Sequence, residues 1–123
     1  VLAETIRTLE AQSPRLDTAM LYVSDHGESL GESGLYLHGL PYAIAPGLQL
    51  HVPMISWMSA GFAASAGVDA ACLKGRAAQT LSHDNLFHSL LGVLDVQTSA
   101  YRAERDLYAP CRVPAAGITN TAI

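Results

Sequence analysis

The sequence lacks several features that assign a chain quickly to a class of protein. No apolar run reaches the roughly 18 residues of a membrane-spanning helix, and the first residues lack the order of a signal peptide. The seven lysine and arginine residues are scattered in a chain of net charge -4, which leaves no basic stripe for nucleic acid. A glycine-rich phosphate-binding loop is also missing. We therefore expect no membrane span in this chain and no nucleic-acid partner.

Cysteine is scarce as well. The two cysteines, Cys72 and Cys111, are far apart and have no histidine beside them at metal-ligand spacing. Either both are buried free thiols, or they form a disulfide that closes a loop of about 40 residues and contributes about 3–4 kcal/mol. Composition leaves both alternatives open.

What the sequence does contain fits a small folded unit. It has 123 residues, of which 50% are apolar and only 15% charged, so it is long enough for a modest core and too apolar for disorder. It opens on "VLAETIRTLEAQ" with no initiating methionine. We expect it to be part of a longer chain.

Helical and strand patterns alternate along the sequence. Apolar residues at helical spacing predict a helix over 1–12, and "TAMLYVS" (18–24) predicts a strand covered on both faces, as in a parallel sheet. A second strand follows at 52–59, and one or two short helices interrupted by glycine follow at 61–79. A helix and a buried strand in succession indicate an α/β fold.

A last helix is predicted over 82–96. Ser82 is a suitable N-cap, and Leu86, Leu90, Val93 and Leu94 form an apolar stripe. The residues after it contain arginine and proline at short intervals and predict an irregular tail.

The chemistry of the sequence concentrates where the first strand ends. Asp25 and His26 follow the strand directly, and His38 comes twelve residues after His26 in a glycine-rich loop. Ligands in α/β sheets bind beyond the carboxyl ends of the strands, and a buried carboxylate there needs a positive partner. Because carboxylate oxygen and imidazole nitrogen are both zinc ligands, Asp25 and His26 are candidate metal ligands. Glu28 is a candidate for orienting an imidazole.

Each of these residues also has a simpler interpretation. In this interpretation, Asp25 would accept hydrogen bonds from backbone amides of the loop, and His38 would be a turn histidine that precedes Gly39. Structural roles are expected for His51, His83 and His88. A catalytic zinc site keeps about three protein ligands, so the chain provides only part of such a site, and none of its serine or threonine residues stands in the context of a metal-activated nucleophile.

"SDHGESLGESGLYLHGLP" (24–41) resembles the signature of the phosphoethanolamine–lipid A transferases, a family of the alkaline phosphatase/sulfatase superfamily. The likeness continues in "HVPMISWMS" (51–59), "LSHDNLFHSLLGVLDVQTSAY" (81–101) and "DLYAPCR" (106–112), so it covers nearly the whole chain. It implies the C-terminal portion of an alkaline phosphatase-like α/β/α sandwich with a mostly parallel sheet. Residues 1–123 would then form the last part of a periplasmic catalytic domain, with membrane helices and the first part of that domain upstream.

The resemblance also implies an activity. Such enzymes use Zn²⁺ to move phosphoethanolamine from phosphatidylethanolamine to lipid A through a phospho-threonine, at the periplasmic face of the bacterial inner membrane, which weakens polymyxin binding. By position, Asp25 and His26 match zinc ligands, and His38 matches a histidine at the phosphoethanolamine or an accessory metal. Glu28 carries over only as a residue supporting a ligand. In an oxidising periplasm the disulfide Cys72–Cys111 becomes the favoured alternative.

The chain departs from the family pattern in one respect. The nucleophilic threonine and a glutamate zinc ligand belong to upstream sequence, and Thr5, Thr8 and Thr18 do not match the nucleophile's context. We therefore expect the isolated chain to bind zinc weakly and to catalyse nothing.

Three alternatives remain open. A sulfatase or phosphoglycerol transferase would share Asp25 and His26, and a non-catalytic interaction domain would use the loop only as a scaffold. A truncated product would expose a sheet edge and form oligomers through it.

Overall fold

The structure, a computed structural model, describes residues 1–113. Helices and strands are interspersed along the chain in the order α1 (Leu2–Gln12), β1 (Ala19–Val23), β2 (Ser29–Leu30), β3 (Tyr36–Leu37), α2 (Gly47–Leu50), β4 (Met54–Met58), α3 (Ala60–Ser65), α4 (Ala70–Gly75) and α5 (Asp84–Val93). Short 3-10 turns lie at Glu32–Gly34, Ala103–Arg105 and Ala109–Cys111. Among the described residues, no helix has both the length and the hydrophobicity needed to cross a bilayer.

The predicted elements are present, with shifted ends. The helix at 1–12, the strands at 18–24 and 52–59, and the pair of short helices within 61–79 are confirmed. The loop that follows β1 contains a small hairpin, in which β2 and β3 pair antiparallel. That hairpin brings residues on either side of Glu32–Gly34 back together.

The partner of β1 corrects one expectation. β1 pairs with β4 in antiparallel register, from Ala19 opposite Met58 to Val23 opposite Met54. A parallel partner needs a crossover that carries the chain back to the start of the first strand. Here the connecting segment returns at the end where β1 stops, so β4 runs the opposite way. Within this chain β1 is half-buried rather than covered on both faces.

The core of the described chain is small and lies around a disulfide. Val68, Tyr108 and Cys111 are the buried hydrophobic residues, with 5%, 2% and 3% of their surfaces exposed. Cys72 and Cys111 are bonded, with their Cα atoms 5.5 Å apart. The Asp69 amide also donates to the Cys111 carbonyl at 2.9 Å. The bond therefore attaches the segment at 103–113 to the region of α3 and α4.

The helix α5 differs from its predicted form. It begins at Asp84, and Ser82 accepts only a hydrogen bond of 3.3 Å from the Asp84 amide. Its buried residues are His88 and Ser89, whereas Leu90 of the predicted apolar stripe is 41% exposed. The polar face is buried because Ser89 accepts a hydrogen bond from the Leu107 amide at 2.9 Å, which joins α5 to the segment at 103–113.

Tyr108 connects this core to the sheet and gives a prediction about pH. Its hydroxyl lies 2.9 Å from the Ser56 hydroxyl on β4. Burial raises the pKa of Tyr108 above 10.0, which the Ser56 hydrogen bond opposes and the Asp106 carboxylate reinforces. The folded protein thus keeps this proton where the unfolded chain loses it. The contribution of Tyr108 to stability is therefore complete below about pH 10 and is lost as the pH rises from there through the raised pKa.

We expect urea unfolding at increasing alkaline pH to show this loss in the wild type and a smaller loss in Tyr108→Phe. The remainder comes from Tyr101, whose pKa is raised by burial and by its hydrogen bond to Asp106. Equal alkaline losses in the two proteins would refute this role of Tyr108.

Candidate metal and substrate site

The candidate site begins at the turn that follows β1. His26 Nδ1 lies 2.8 Å from the Gly27 carbonyl oxygen. Because a carbonyl only accepts, Nδ1 carries the proton and Nε2 keeps its lone pair. Asp25 Oδ2 lies 3.8 Å from this Nε2. The adjacent pair therefore presents a carboxylate oxygen and an imidazole lone pair within one short distance.

The environment of Asp25 differs from the expected one. Its side chain is 89% exposed in this chain, so no cost of a buried charge calls for a positive partner. Asp25 also accepts a hydrogen bond from the His26 amide at 3.1 Å, which is the loop-capping role. Its candidacy as a ligand consequently depends on its distance from His26 and on its sequence context.

The β2–β3 hairpin places His38 beside His26. Its ring stacks on the His26 ring, with centroids 3.8 Å apart and planes at 28°. His38 Nδ1 lies 3.0 Å from Glu28 Oε2. A carboxylate that accepts from Nδ1 fixes the tautomer and leaves Nε2 free, the usual arrangement around a histidine that binds a metal.

These donors fit a zinc ion. One ligand atom from each of His26, Glu28 and His38 lies within 4.8 Å of the others, and imidazole nitrogen and carboxylate oxygen are both zinc ligands. Ligands on a tetrahedral zinc with bonds of about 2.0–2.2 Å stand roughly 3.3–3.6 Å apart. The separation of 3.8 Å between Asp25 and His26 is only slightly larger. Asp25 and His26 would therefore hold zinc by their donor chemistry and spacing, with the His38 ring beside them.

Gly27 allows the turn to lie against α2. Its amide donates to the Gln49 carbonyl at 3.0 Å, and a Cβ at this position would overlap the carbonyl oxygen of Leu48. The contact is with backbone, which cannot rotate away. Only glycine permits this approach.

We expect Gly27→Ala to destabilise the protein by about 1–3 kcal/mol, the usual cost of forcing an extra group into a packed position. Gly75→Ala is the matched control, because a Cβ there meets nothing within 4 Å. The control should change the free energy of unfolding by less than about 1 kcal/mol. Equal denaturation midpoints for the two variants would contradict the close approach at Gly27.

The site opens into a cavity of about 320 Å³. It is lined by Asp25, His26, His38, Gly39, Leu40, Tyr42, Gln49, Leu50 and His83. In the part of the chain that the structure describes, neither serine nor threonine lines this cavity. The nucleophile therefore has no candidate among the lining residues.

Two further residues line the cavity. His83 was expected to be structural, and its Nε2 lies 2.7 Å from the Ser24 carbonyl oxygen, a contact that joins the start of α5 to the end of β1. Gln49 lies in a segment with no periodic pattern. By contrast, His51 is exposed, and buried His88 accepts from the Arg102 amide at 3.2 Å, as structural residues do.

Comparisons with known proteins agree over most of the chain. The family model described as Sulfatase matches residues 1–96. The phosphoethanolamine transferase EptA of Salmonella typhimurium is 48% identical over 113 residues, which cover 91% of this chain and 21% of that protein. The phosphatidylethanolamine transferase Mcr-2 of Escherichia coli is 43% identical and covers 77% of this chain and 16% of that protein.

Solved structures show the same likeness. The soluble domain of lipooligosaccharide phosphoethanolamine transferase A from Neisseria meningitidis superposes with a TM-score of 0.83 at 48% identity, over 91% of this chain and 34% of that one. The C-terminal periplasmic domain of phosphoethanolamine transferase EptC from Campylobacter jejuni gives 0.74 at 45% identity, over 89% of this chain and 33% of that one. The predicted resemblance and the sulfatase-like α/β class are confirmed. The chain spans about a fifth of the length of the first relative.

Proposed function

Because the chain belongs to the sulfatase family, we propose that it forms the C-terminal part of the catalytic domain of a zinc-dependent phosphoethanolamine transferase. The observation that carries the proposal is the meeting of Asp25, His26 and His38 in one cavity at the end of β1, with Glu28 hydrogen-bonded to His38. Phosphoethanolamine transferases 48% and 46% identical to the chain support this choice of transferred group.

In this proposal each site residue has a separate task. Asp25 and His26 hold the zinc ion, and His26 binds through Nε2 because Nδ1 donates to the Gly27 carbonyl. His38 faces the phosphoethanolamine or an accessory metal, with its tautomer fixed by Glu28. Zinc, when bound, supplies a Lewis acid for the phosphoryl oxygens and lowers the pKa of a coordinated hydroxyl.

The donor and acceptor follow from the same resemblance. We propose phosphatidylethanolamine as donor and lipid A as acceptor, with a phospho-threonine formed on a threonine outside this chain. The relatives that act on Kdo(2)-lipid A as phosphoethanolamine transferases are 48% and 50% identical over shorter matches. A diacyl donor requires the whole protein to work at a membrane.

The disulfide supports a location outside the cytoplasm. Disulfides persist in oxidising compartments such as the bacterial periplasm, and Cys72 and Cys111 are bonded. One relative is described as an integral membrane protein and another as a periplasmic domain. We propose the periplasmic face of the inner membrane.

The full-length protein that carries this chain provides the test. Reconstituted with phosphatidylethanolamine and lipid A, it should add phosphoethanolamine to lipid A, as read by mass spectrometry. A chelator should stop the reaction and Zn²⁺ should restore it. Cleavage of an aryl sulfate without any transfer would instead establish the sulfatase alternative, which the family match also allows.

A further inference from the structure

The side chain of Gln49 is buried beside the site, although one of its polar atoms makes no hydrogen bond with the described residues. Gln49 is 5% exposed and belongs to α2, which has four residues. Its Nε2 donates to Ser29 Oγ at 2.9 Å and to the Leu37 carbonyl at 3.1 Å. Its Oε1 has no hydrogen-bond partner among the described residues. A buried amide oxygen left unpaired costs about 1–3 kcal/mol, so stability alone explains this residue poorly.

The side chain acts on the segment that carries His38. The Leu37 carbonyl belongs to the peptide unit that joins Leu37 to His38. Leu37 has φ of 67°, in the left-handed region, which costs a residue with a branched side chain on the order of 1–2 kcal/mol. The hydrogen bond from Gln49 restrains this carbonyl, and it thereby restrains the backbone from which the His38 side chain extends.

The main chain of Gln49 acts on the segment that carries His26. Its carbonyl accepts the hydrogen bond from Gly27, the residue directly after His26. The same residue therefore contacts the peptides next to both histidines. Their rings lie 3.8 Å apart between these two anchor points.

From these contacts we propose that Gln49 is a positioning residue that sets the separation of His26 and His38, and thereby the affinity of the site for zinc. The inference rests on the proposed function and uses the metal-facing one of the two roles that it gives His38. Gln49 supplies no ligand atom in this role; it acts through His38.

The test is a double-mutant cycle in the full-length protein. Gln49→Met keeps the length of the side chain but donates no hydrogen bond. We expect it to lower the zinc affinity of the metal-free protein about 10–100-fold, the usual effect of losing a partner that orients a metal ligand. His38→Ala should lower the affinity as well, and the double variant should show no further loss. Zinc affinity is read by competition with a chromophoric chelator.

Ser89→Ala is the matched control for stability. Ser89 is 0% exposed, and the variant loses two hydrogen bonds away from the site, one from the Leu107 amide and one to the Asn85 carbonyl. It should lower the unfolding temperature without changing zinc affinity. If Gln49→Met does not fold, Gln49→Leu replaces it, because leucine also donates no hydrogen bond and adds no metal ligand to the cavity.

Wild-type zinc affinity in the Gln49 variant, or losses that add in the double variant, would overturn the proposal, because additive losses indicate independent action. Zinc binding by the wild type without phosphoethanolamine transfer would overturn the proposed function alone. The cycle would still decide the role of Gln49 in that case.

Discussion

Replacing His26 with alanine in the full-length protein should lower zinc-dependent phosphoethanolamine transfer by roughly 100-fold or more. The reason is that His26 Nδ1 contacts the Gly27 carbonyl, which leaves Nε2 to bind the metal, with Asp25 Oδ2 3.8 Å away. Lewis-acid stabilisation by a metal contributes several kcal/mol to a phosphoryl transition state, and each 1.36 kcal/mol is tenfold in rate. Transfer is measured on lipid A at a fixed concentration of Zn²⁺.

His51→Ala is the control for this prediction. His51 is an exposed histidine and does not line the cavity. The His51→Ala substitution removes one imidazole from the same chain, and it should leave both zinc content and transfer at wild-type levels. Transfer by His26→Ala within a few-fold of the wild type would contradict the assignment of His26.

The second large effect concerns stability. Removing the disulfide with the double variant Cys72→Ser, Cys111→Ser should destabilise the protein by about 4 kcal/mol, the chain-entropy value for a sequence separation of 39. The loss should be this large because the bond restricts the unfolded chain between residues 72 and 111. Urea unfolding under oxidising conditions measures it.

Reduction provides an independent control. A reducing agent should lower the stability of the wild type towards that of the double variant and leave the variant itself unchanged. The zinc affinity of the double variant should equal that of the wild type, because neither cysteine lines the cavity. A wild type that is equally stable with and without the reducing agent would show that the disulfide does not support the fold.

Local patterns predicted the elements better than their pairing. The apolar run before Asp25 located β1, and glycine-interrupted helices appeared where 61–79 predicted them. The antiparallel pairing of β1 with β4 depends on where the long connection between them brings the chain back. The spacing of apolar residues within β1 carries no information about that connection. The partial burial of β1 likewise depends on what packs against it and not on its own residues.

The site was predictable where residues of the right chemistry follow a strand. Asp25, His26 and His38 line one cavity, although their functional roles stay predictions, as does oligomer formation through a sheet edge. The positions of Gln49 and His83 beside the cavity were not predictable. Each acts through a backbone carbonyl distant in sequence, at Leu37 and Ser24, and such contacts leave no signature in residue type or spacing.

The most direct test of the central claim is anomalous diffraction at the zinc edge from crystals of the full catalytic domain with Zn²⁺. The account predicts a peak at a bonding distance of about 2.0–2.2 Å from His26 Nε2 and from a carboxylate oxygen of Asp25, with His38 beside it. A fully occupied zinc peak elsewhere in the domain, with His26 free of metal, would contradict the assignment of this turn as the metal site.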